Sequence, residues 1–247
     1  MVIIKSQILT AYPKIVFGFS TKTGAEREAP YYFNMSKSVN DDEQIVDCNR
    51  EMFFNALGLK TSQIVFQKQS HTDIITYVDK PGQIGISDAL ITDKPGIGLA
   101  ISSADCTPVF LYDKKNMVIA GIHSGWRGTE QKILEKTVQK LKKDFNSCAE
   151  DIIAYIAPSI SKEVYEVGTE FIEKFDSRYL APHNSKYLLD VAGANYDMLL
   201  NEGIPKGNIQ KSVLCSYQTA GLLHSYRRDG LISGRALGVI ALKEGNE

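Results

Sequence analysis

The stretch IGLAISSADCTPVFLYDKKNMVIAGIHSGWRGTEQKILEKTVQKLKKDF, residues 97–145, decides the fold. It contains three short apolar runs, 97–102, 109–112 and 118–122, each bounded by polar or turn residues as buried strands are. The period then changes. Ile133, Leu134, Val138, Leu141 and Phe145 recur at helical spacing over 132–145. Strands that lead directly into an amphipathic helix predict a mixed α/β protein.

The same alternation continues outward in both directions. Upstream, 14–19 reads as a strand from its β-branched and aromatic residues, and 20–24 as a turn. Asp41-Asp42 is placed to cap a helix carrying Ile45, Val46, Phe53 and Leu57, with Gly58 as its stop. Residues 63–66 and 74–78 read as short strands around a polar break, Gln69-Ser-His-Thr-Asp73. Downstream, 151–156 reads as a strand, 163–175 and 190–200 as helices, and 213–215 and 237–242 as terminal strands. There is no internal repeat, low-complexity segment or Pro/Gly/Ser linker, so one mixed α/β domain over 1–247 is expected.

Composition excludes several classes of function. The chain has 247 residues, 43% hydrophobic and 23% charged, with 28 Lys+Arg against 29 Asp+Glu and a formal net charge of −1. A dedicated nucleic-acid binder would show a basic excess, although a local basic pocket is compatible with this balance. No apolar run reaches the roughly 18 residues of a membrane helix. The start, Met1-Val-Ile-Ile-Lys-Ser-Gln7, lacks the pattern of a secretory signal. Cys48, Cys106, Cys148 and Cys215 are scattered with no C-x-x-C pair, which points to a reducing cytoplasm and to cysteines that are packed, metal-ligating or nucleophilic.

Three polar breaks at strand ends carry soft or imidazole donors. His71 follows the strand near Phe66, Cys106 lies in Ser102-Ser-Ala-Asp-Cys-Thr107, and His123 ends 118–122 and opens Ser124-Gly-Trp-Arg-Gly128. Ligand sites of α/β sheets are built at such ends. Separations of 35 and 17 residues are not those of a zinc finger, so three readings stay open. The histidines make ordinary hydrogen bonds and Cys106 packs in the core; or the three converge as an open three-ligand zinc site; or Cys106 is a nucleophile activated by a histidine. A second feature is Ser225-Tyr-Arg-Arg-Asp-Gly230 with Ser233-Gly-Arg235. Its Arg227, Arg228 and Arg235 either present guanidinium forks to a phosphate or form a solvated loop with an ion pair to Asp229. Arg127 follows Trp126 just before a predicted helix, which suits an anion site or a Trp/Arg stack. His183 reads as an exposed loop residue. No P-loop and no G-x-G-x-x-G is present.

Together these segments resemble the YfiH family, also named for polyphenol oxidase or laccase domains. The matching stretches are Gly18-Phe-Ser-Thr21, Gln69-Ser-His71, Ser87-Asp-Ala-Leu-Ile-Thr92, Ala104-Asp-Cys106, His123-Ser-Gly-Trp-Arg-Gly128, Ala157-Pro-Ser-Ile160 with Tyr165-Glu-Val-Gly168, and Ser225-Tyr-Arg-Arg-Asp-Gly230 with Gly234-Arg235. They occur in the family's order across nearly the whole chain. Three departures stand out: Lys22 replaces a frequent Arg, Thr23-Gly24 replaces Gly-Gly, and Phe33-Asn-Met35 replaces Leu-Asn-Leu.

The resemblance implies an α/β sandwich with mixed sheets, related to the catalytic fold of deamidating toxins. It implies Zn²⁺ held by His71, Cys106 and His123, with Asp105 as a proton shuttle or an orienting group. It also implies a purine nucleoside and phosphate as substrates. Lys22, Arg127, Arg227, Arg228 and Arg235 are the expected phosphate ligands. The leading expectation is a zinc-dependent purine nucleoside phosphorylase with adenosine deaminase side activity. A copper-dependent polyphenol oxidase is the alternative, and it is disfavoured as a multicopper enzyme because only His183 and His224 would remain for a second cluster. A Cys/His hydrolase and a nucleoside-binding module without turnover follow behind. No nucleic acid, no membrane and no particular oligomeric state is expected.

Overall fold

In chain order the elements are β1 (Ile3–Ile4), α1 (Gln7–Thr10), β2 (Ile15–Ser20), α2 (Glu43–Ala56), β3 (Ile64–Lys68), β4 (Ile75–Tyr77), β5 (Gly82–Ile86), β6 (Ala89–Thr92), β7 (Gly98–Ser103), β8 (Thr107–Asp113) and β9 (Val118–Ser124). They continue with α3 (Trp126–Glu130), α4 (Ile133–Phe145), β10 (Ile152–Ile156), β11 (Glu166–Val167), β12 (Leu180–His183), β13 (Lys186–Leu189), α5 (Val191–Asn201), β14 (Ile209–Lys211), α6 (Tyr226–Asp229) and β15 (Ala236–Leu242). The computed structural model describes residues 1–244.

Two six-stranded mixed sheets face each other. The first runs β1-β2-β15-β7-β3-β5 and the second β14-β10-β8-β9-β6-β4. Their inner faces meet through Phe17, Phe19, Leu99 and Ile240 on one side and Phe110, Ile119, Ile153 and Tyr155 on the other. The Phe17 ring packs edge-on against Phe110 at 5.0 Å and against Tyr155 at 5.2 Å between centroids, a favoured geometry for aromatic pairs. Helix α2 covers the outer face of the first sheet, seating Phe53 and Phe54 with Ala100, Leu237 and Val239. Helices α4 and α5 cover the second, with Leu134, Val138, Leu141 and Leu199 on Val109, Leu111, Ala120 and Ile122. Every residue of β8 and β9 is buried. Being covered on both faces is why these strands read as continuous apolar runs rather than alternating ones.

The expected α/β sandwich with mixed sheets is therefore observed, and most expected elements lie within a few residues of their predicted places. Asp42 caps α2, accepting from the backbone N–H of Gln44 (2.8 Å) and Ile45 (3.4 Å), and Gly58 follows with a positive φ of 73°. Two expectations are corrected. Residues 163–175 form no α-helix; they break into short 3₁₀ turns and β11. Gly168 sits mid-segment, where glycine weakens a helix by about 1 kcal/mol. The neighbouring β-branched and aromatic residues instead serve a third sheet, β11-β13-β12. The strand expected at 213–215 lies earlier, at β14, and Cys215 makes only an isolated bridge to Ser159. Strands β5, β6, β12 and β13 were not anticipated. Among the described residues, no helix is long and apolar enough to cross a membrane.

The topology gathers three connections at one rim of the sandwich. The chain passes from the first sheet to the second between β3 and β4 through residues 69–74, and between β7 and β8 through 104–106. The end of β9 turns there into α3.

Candidate metal centre

His71, Cys106 and His123 stand on those three connections, and one ligand atom from each lies within 4.8 Å of the others. Cys106 Sγ is 3.7 Å from His71 Nε2, and the two imidazole rings stand edge-on at 4.8 Å. Among the described residues this is the one group of three or more such side chains placed to hold a metal. The donor set fits zinc: two imidazoles and a thiolate, with room for a further ligand.

The backbone is shaped for this approach. His71 adopts a left-handed conformation with φ of 60°, uncommon for a residue with a side chain. Gly125 follows two residues after His123. A Cβ there would lie 2.7 Å from Cys106 Sγ and 3.2 Å from the His71 ring. Close approach of the loop to the ligands therefore explains the glycine of H-S-G-W.

The sequence reading missed Asp88 as a functional residue, although its segment was part of the resemblance. Asp88 is fully buried. Its carboxylate accepts from the backbone N–H of Ser70 (3.2 Å), His71 (3.1 Å) and Thr72 (2.7 Å) and from the Thr72 hydroxyl (2.7 Å). Oδ1 also meets His123 Nδ1 at 2.8 Å. That bond turns His123 Nε2 toward the cluster, the outer-layer support that metal-bound histidines commonly have. Burial would raise the Asp88 carboxyl, but the His123 and Thr72 hydrogen bonds outweigh it and hold its pKa down to about 2. Burial would likewise raise the Cys106 thiol, and the facing His123 and then His71 draw it below its ordinary value. His123 moves upward: burial opposes its charge, but Cys106 and Asp88 favour it more. Cys106 and His123 thus favour a thiolate–imidazolium pair; the thiolate is the form that binds metals, and His123 gives up its proton when it ligates one.

The expected anion ligands stand in different situations. Arg127 is exposed and stacks over Trp126 at 4.1 Å. Arg227 is exposed, stacks over Tyr165 at 4.8 Å and donates one N–H to the Glu166 carbonyl (2.8 Å). Arg235 is half-buried over Tyr226 at 5.4 Å and spends Nη1 on the carbonyls of Ser233 and Gly234. Lys22 lies over the Tyr32 ring at 4.1 Å, and burial, followed by the Arg228 charge, lowers its pKa.

Arg228 is different. It donates to both oxygens of Asp229 and to the carbonyls of Ser216, Tyr217 and Leu223, all at 2.8–2.9 Å. Those bonds engage all five N–H donors of a guanidinium, so Arg228 braces the loop and has no free fork for phosphate. Asp105 carries a φ of 93° and accepts from Ser216 Oγ and from the Arg227 backbone N–H, each at 2.6 Å. Its carboxylate ties the Cys106 connection to the arginine loop. Tyr165, also missed as a site residue, has its pKa pushed up to about 12 by burial and then by the Cys106 charge. His183 lies on the β12–β13 hairpin and His224 is buried among other residues, so no second imidazole cluster forms among the described residues.

Comparison with known proteins agrees with this architecture. A relative from Bacteroides thetaiotaomicron named purine nucleoside phosphorylase is 34% identical, with 95% of this chain and 94% of that protein aligned. A protein of an unknown prokaryote named adenosine deaminase RL5 is 30% identical over 89% and 91%. The crystal structure of the hypothetical protein YfiH from Bacillus licheniformis superposes with a TM-score of 0.89 at 32% identity, covering 93% of each chain. That of YlmD from Geobacillus stearothermophilus also gives 0.89, at 28% identity over 97% and 94%. The family model described as multi-copper polyphenol oxidoreductase laccase matches residues 16–243, and the chain belongs to that family, the YfiH-like proteins.

Proposed function

We propose that the protein is a zinc-dependent purine nucleoside phosphorylase with adenosine deaminase side activity, acting in the cytoplasm as a single α/β domain. The observation that carries this reading is the His71/Cys106/His123 cluster, oriented by Asp88, with the Arg227 backbone held by Asp105 next to Cys106. Relatives named as phosphorylase and as deaminase support it.

Phosphorolysis breaks the bond from C1′ of the ribose to the purine nitrogen and forms one from C1′ to a phosphate oxygen. The purine departs with the bonding electron pair and takes up a proton. The exposed guanidiniums of Arg127 and Arg227, the remaining donors of Arg235 and the Lys22 ammonium bind the phosphate and offset its charge. Lys22 does so as a point charge, without a fork. Arg228 acts through position, keeping the 216–229 loop in register. Asp105 holds the Arg227 backbone and so orients that arginine beside the cluster. The Tyr165 hydroxyl, protonated throughout the neutral range, is a neutral donor for the departing base. His71, Cys106 and His123 would hold zinc, whose Lewis acidity is the chemistry that makes water nucleophilic at neutral pH. Deamination replaces the C6 amino group of adenosine with oxygen from water and releases ammonia.

The test is chromatography of products from adenosine and inosine, with and without phosphate, on protein of known metal content. Free base and ribose 1-phosphate formed only with phosphate are expected, together with inosine from adenosine. No turnover of either nucleoside would overturn the reading, and full activity with full zinc content in His71→Ala would overturn the site. The laccase description of the family keeps copper oxidation as the second reading. A trinuclear copper cluster needs several further imidazoles, and His183 and His224 are not brought together with each other or with the cluster. Phenol oxidation scaling with tightly bound copper would reinstate it.

A further inference from the structure

Outside the metal centre, a cleft of about 330 Å³ opens between α2 and the outer face of the first sheet, within the range of ligand sites. Its floor is apolar, with Phe66 and Leu237, and its walls carry Lys37, Arg50 and Lys68 but no carboxylate. The cations are unequal. Lys37 is tied to Asp47 (2.7 Å) and Glu43 (3.6 Å). Arg50 is half-buried, donates Nε to the Met35 carbonyl (2.7 Å) and lies over Phe66 at 4.4 Å. Among the described residues, neither Arg50 nor Lys68 has a carboxylate within ion-pair distance. Arg50 is the sequestered one, and sequestered charges normally have partners; Lys68 is exposed. Beside them stands Gln67, at the irregular register of β3 against β5. Both its amide atoms are shielded from water and have no hydrogen-bond partner, a state that costs about 1–3 kcal/mol for each such group.

We infer that this cleft is a second ligand site, which takes a phosphate monoester carrying a sugar or nucleoside. The free N–H groups of Arg50, the Lys68 ammonium and the one hydroxyl proton that the Ser36–Ser38 pair (2.8 Å) does not use internally supply more donors than a carboxylate needs and suit a phosphoryl group. The apolar floor takes the ring. Shielded where it stands, the Gln67 amide reaches a ligand by turning its side chain out into the cleft, where its one donor side and one acceptor side pair with the edge of a base. Gln69, which also lines the cleft, clamps Ser102 through both amide atoms at 2.8 Å, and none of the metal-cluster residues lines the cleft. The site stands independently of the reaction proposed above.

The experiment is calorimetric titration of the full chain with its metal, using adenosine 5′-monophosphate, ribose 5-phosphate, adenosine and inorganic phosphate. The two monoesters are expected to bind at least about tenfold tighter than adenosine or free phosphate, a difference of about 1.4 kcal/mol. Lys68→Glu, at an exposed position, should weaken both monoesters by about tenfold. Gln67→Leu should weaken the nucleotide and spare ribose 5-phosphate if the base is read; equal weakening of both assigns the site to sugar phosphates. Cys106→Ser should leave monoester binding unchanged. The inference is overturned if neither monoester binds saturably, if free phosphate binds the site weakened by Lys68→Glu as tightly as the esters do, or if binding disappears with Cys106→Ser and survives Lys68→Glu.

Discussion

Asp88 concentrates five hydrogen bonds on one carboxylate, and through them it fixes both the His71 loop and the His123 ring. Asp88→Asn keeps the size but replaces one acceptor oxygen with a donor. It is expected to lower metal affinity by about 10–100-fold, read by competition with a chromogenic chelator, with nucleoside turnover falling in parallel. Unchanged affinity would remove Asp88 from the centre. Gly125→Ala tests the same centre sterically. The new methyl would meet Cys106 Sγ at 2.7 Å, so the variant should fold with a loss of about 1–3 kcal/mol and should bind metal poorly in the same chelator assay. The three candidate ligands stand out in the sequence because His and Cys at ends of apolar runs are conspicuous, while the family resemblance, and not their spacing, joined them into one site. Asp88 does not stand out, since one acid at a strand start looks like any turn residue. The internal saturation of Arg228 was also hidden, because its carbonyl partners are invisible in a side-chain pattern.

Elements differ in how well they announced themselves, and burial explains the difference. Helix α4 shows a clear stripe because only one face meets the second sheet, where Leu141 is fully buried. Leu141→Ala is expected to cost about 2–5 kcal/mol in denaturant unfolding. The exposed cap of α2 tests a purely local term: Asp42→Ala should cost about 1 kcal/mol and leave metal binding unchanged. Segment 163–175 misled because Val167, Phe171 and Phe175 do share one apolar cluster, with Leu180, Leu189 and Val191. A strand and two turns bring them together, where helical spacing alone suggested one face of a helix. Tertiary pairing of β11 with β13 at Glu166–Leu188 and Val167–Tyr187 decides the conformation, and no local pattern records it. Short strands such as β6 were hidden for a related reason: β6 is buried on both faces, so its four residues show no alternation.

At the scale of the molecule, the sandwich closes over His224, only 3% exposed, and this couples folding to pH. Burial foremost, then the Lys22 and Arg235 charges, push its pKa down to about 4, against the opposing contributions of the Phe33 backbone and Asp229. The ordinary value is 6.5. As the pH falls below that value the unfolded chain takes up a proton at this position while the folded chain does not. The unfolded state then binds more protons, so stability declines with falling pH across the window from 6.5 to about 4. Below about 4 both states are protonated and this contribution levels off. Its full size is about 3 kcal/mol, at about 1.4 kcal/mol per pH unit. Asp88, held at about 2, adds to the acid loss only in a lower window, because its stabilising charge persists until the pH approaches the ordinary carboxylate range. The two contributions therefore separate along the pH axis. His224→Gln keeps a neutral polar side chain and removes the upper one. Denaturant unfolding of the variant should lose less stability than the parent between pH 6.5 and 4, by up to about 3 kcal/mol, and the same below. Parallel stability curves across that window would show that the buried imidazole is already charged in the folded chain.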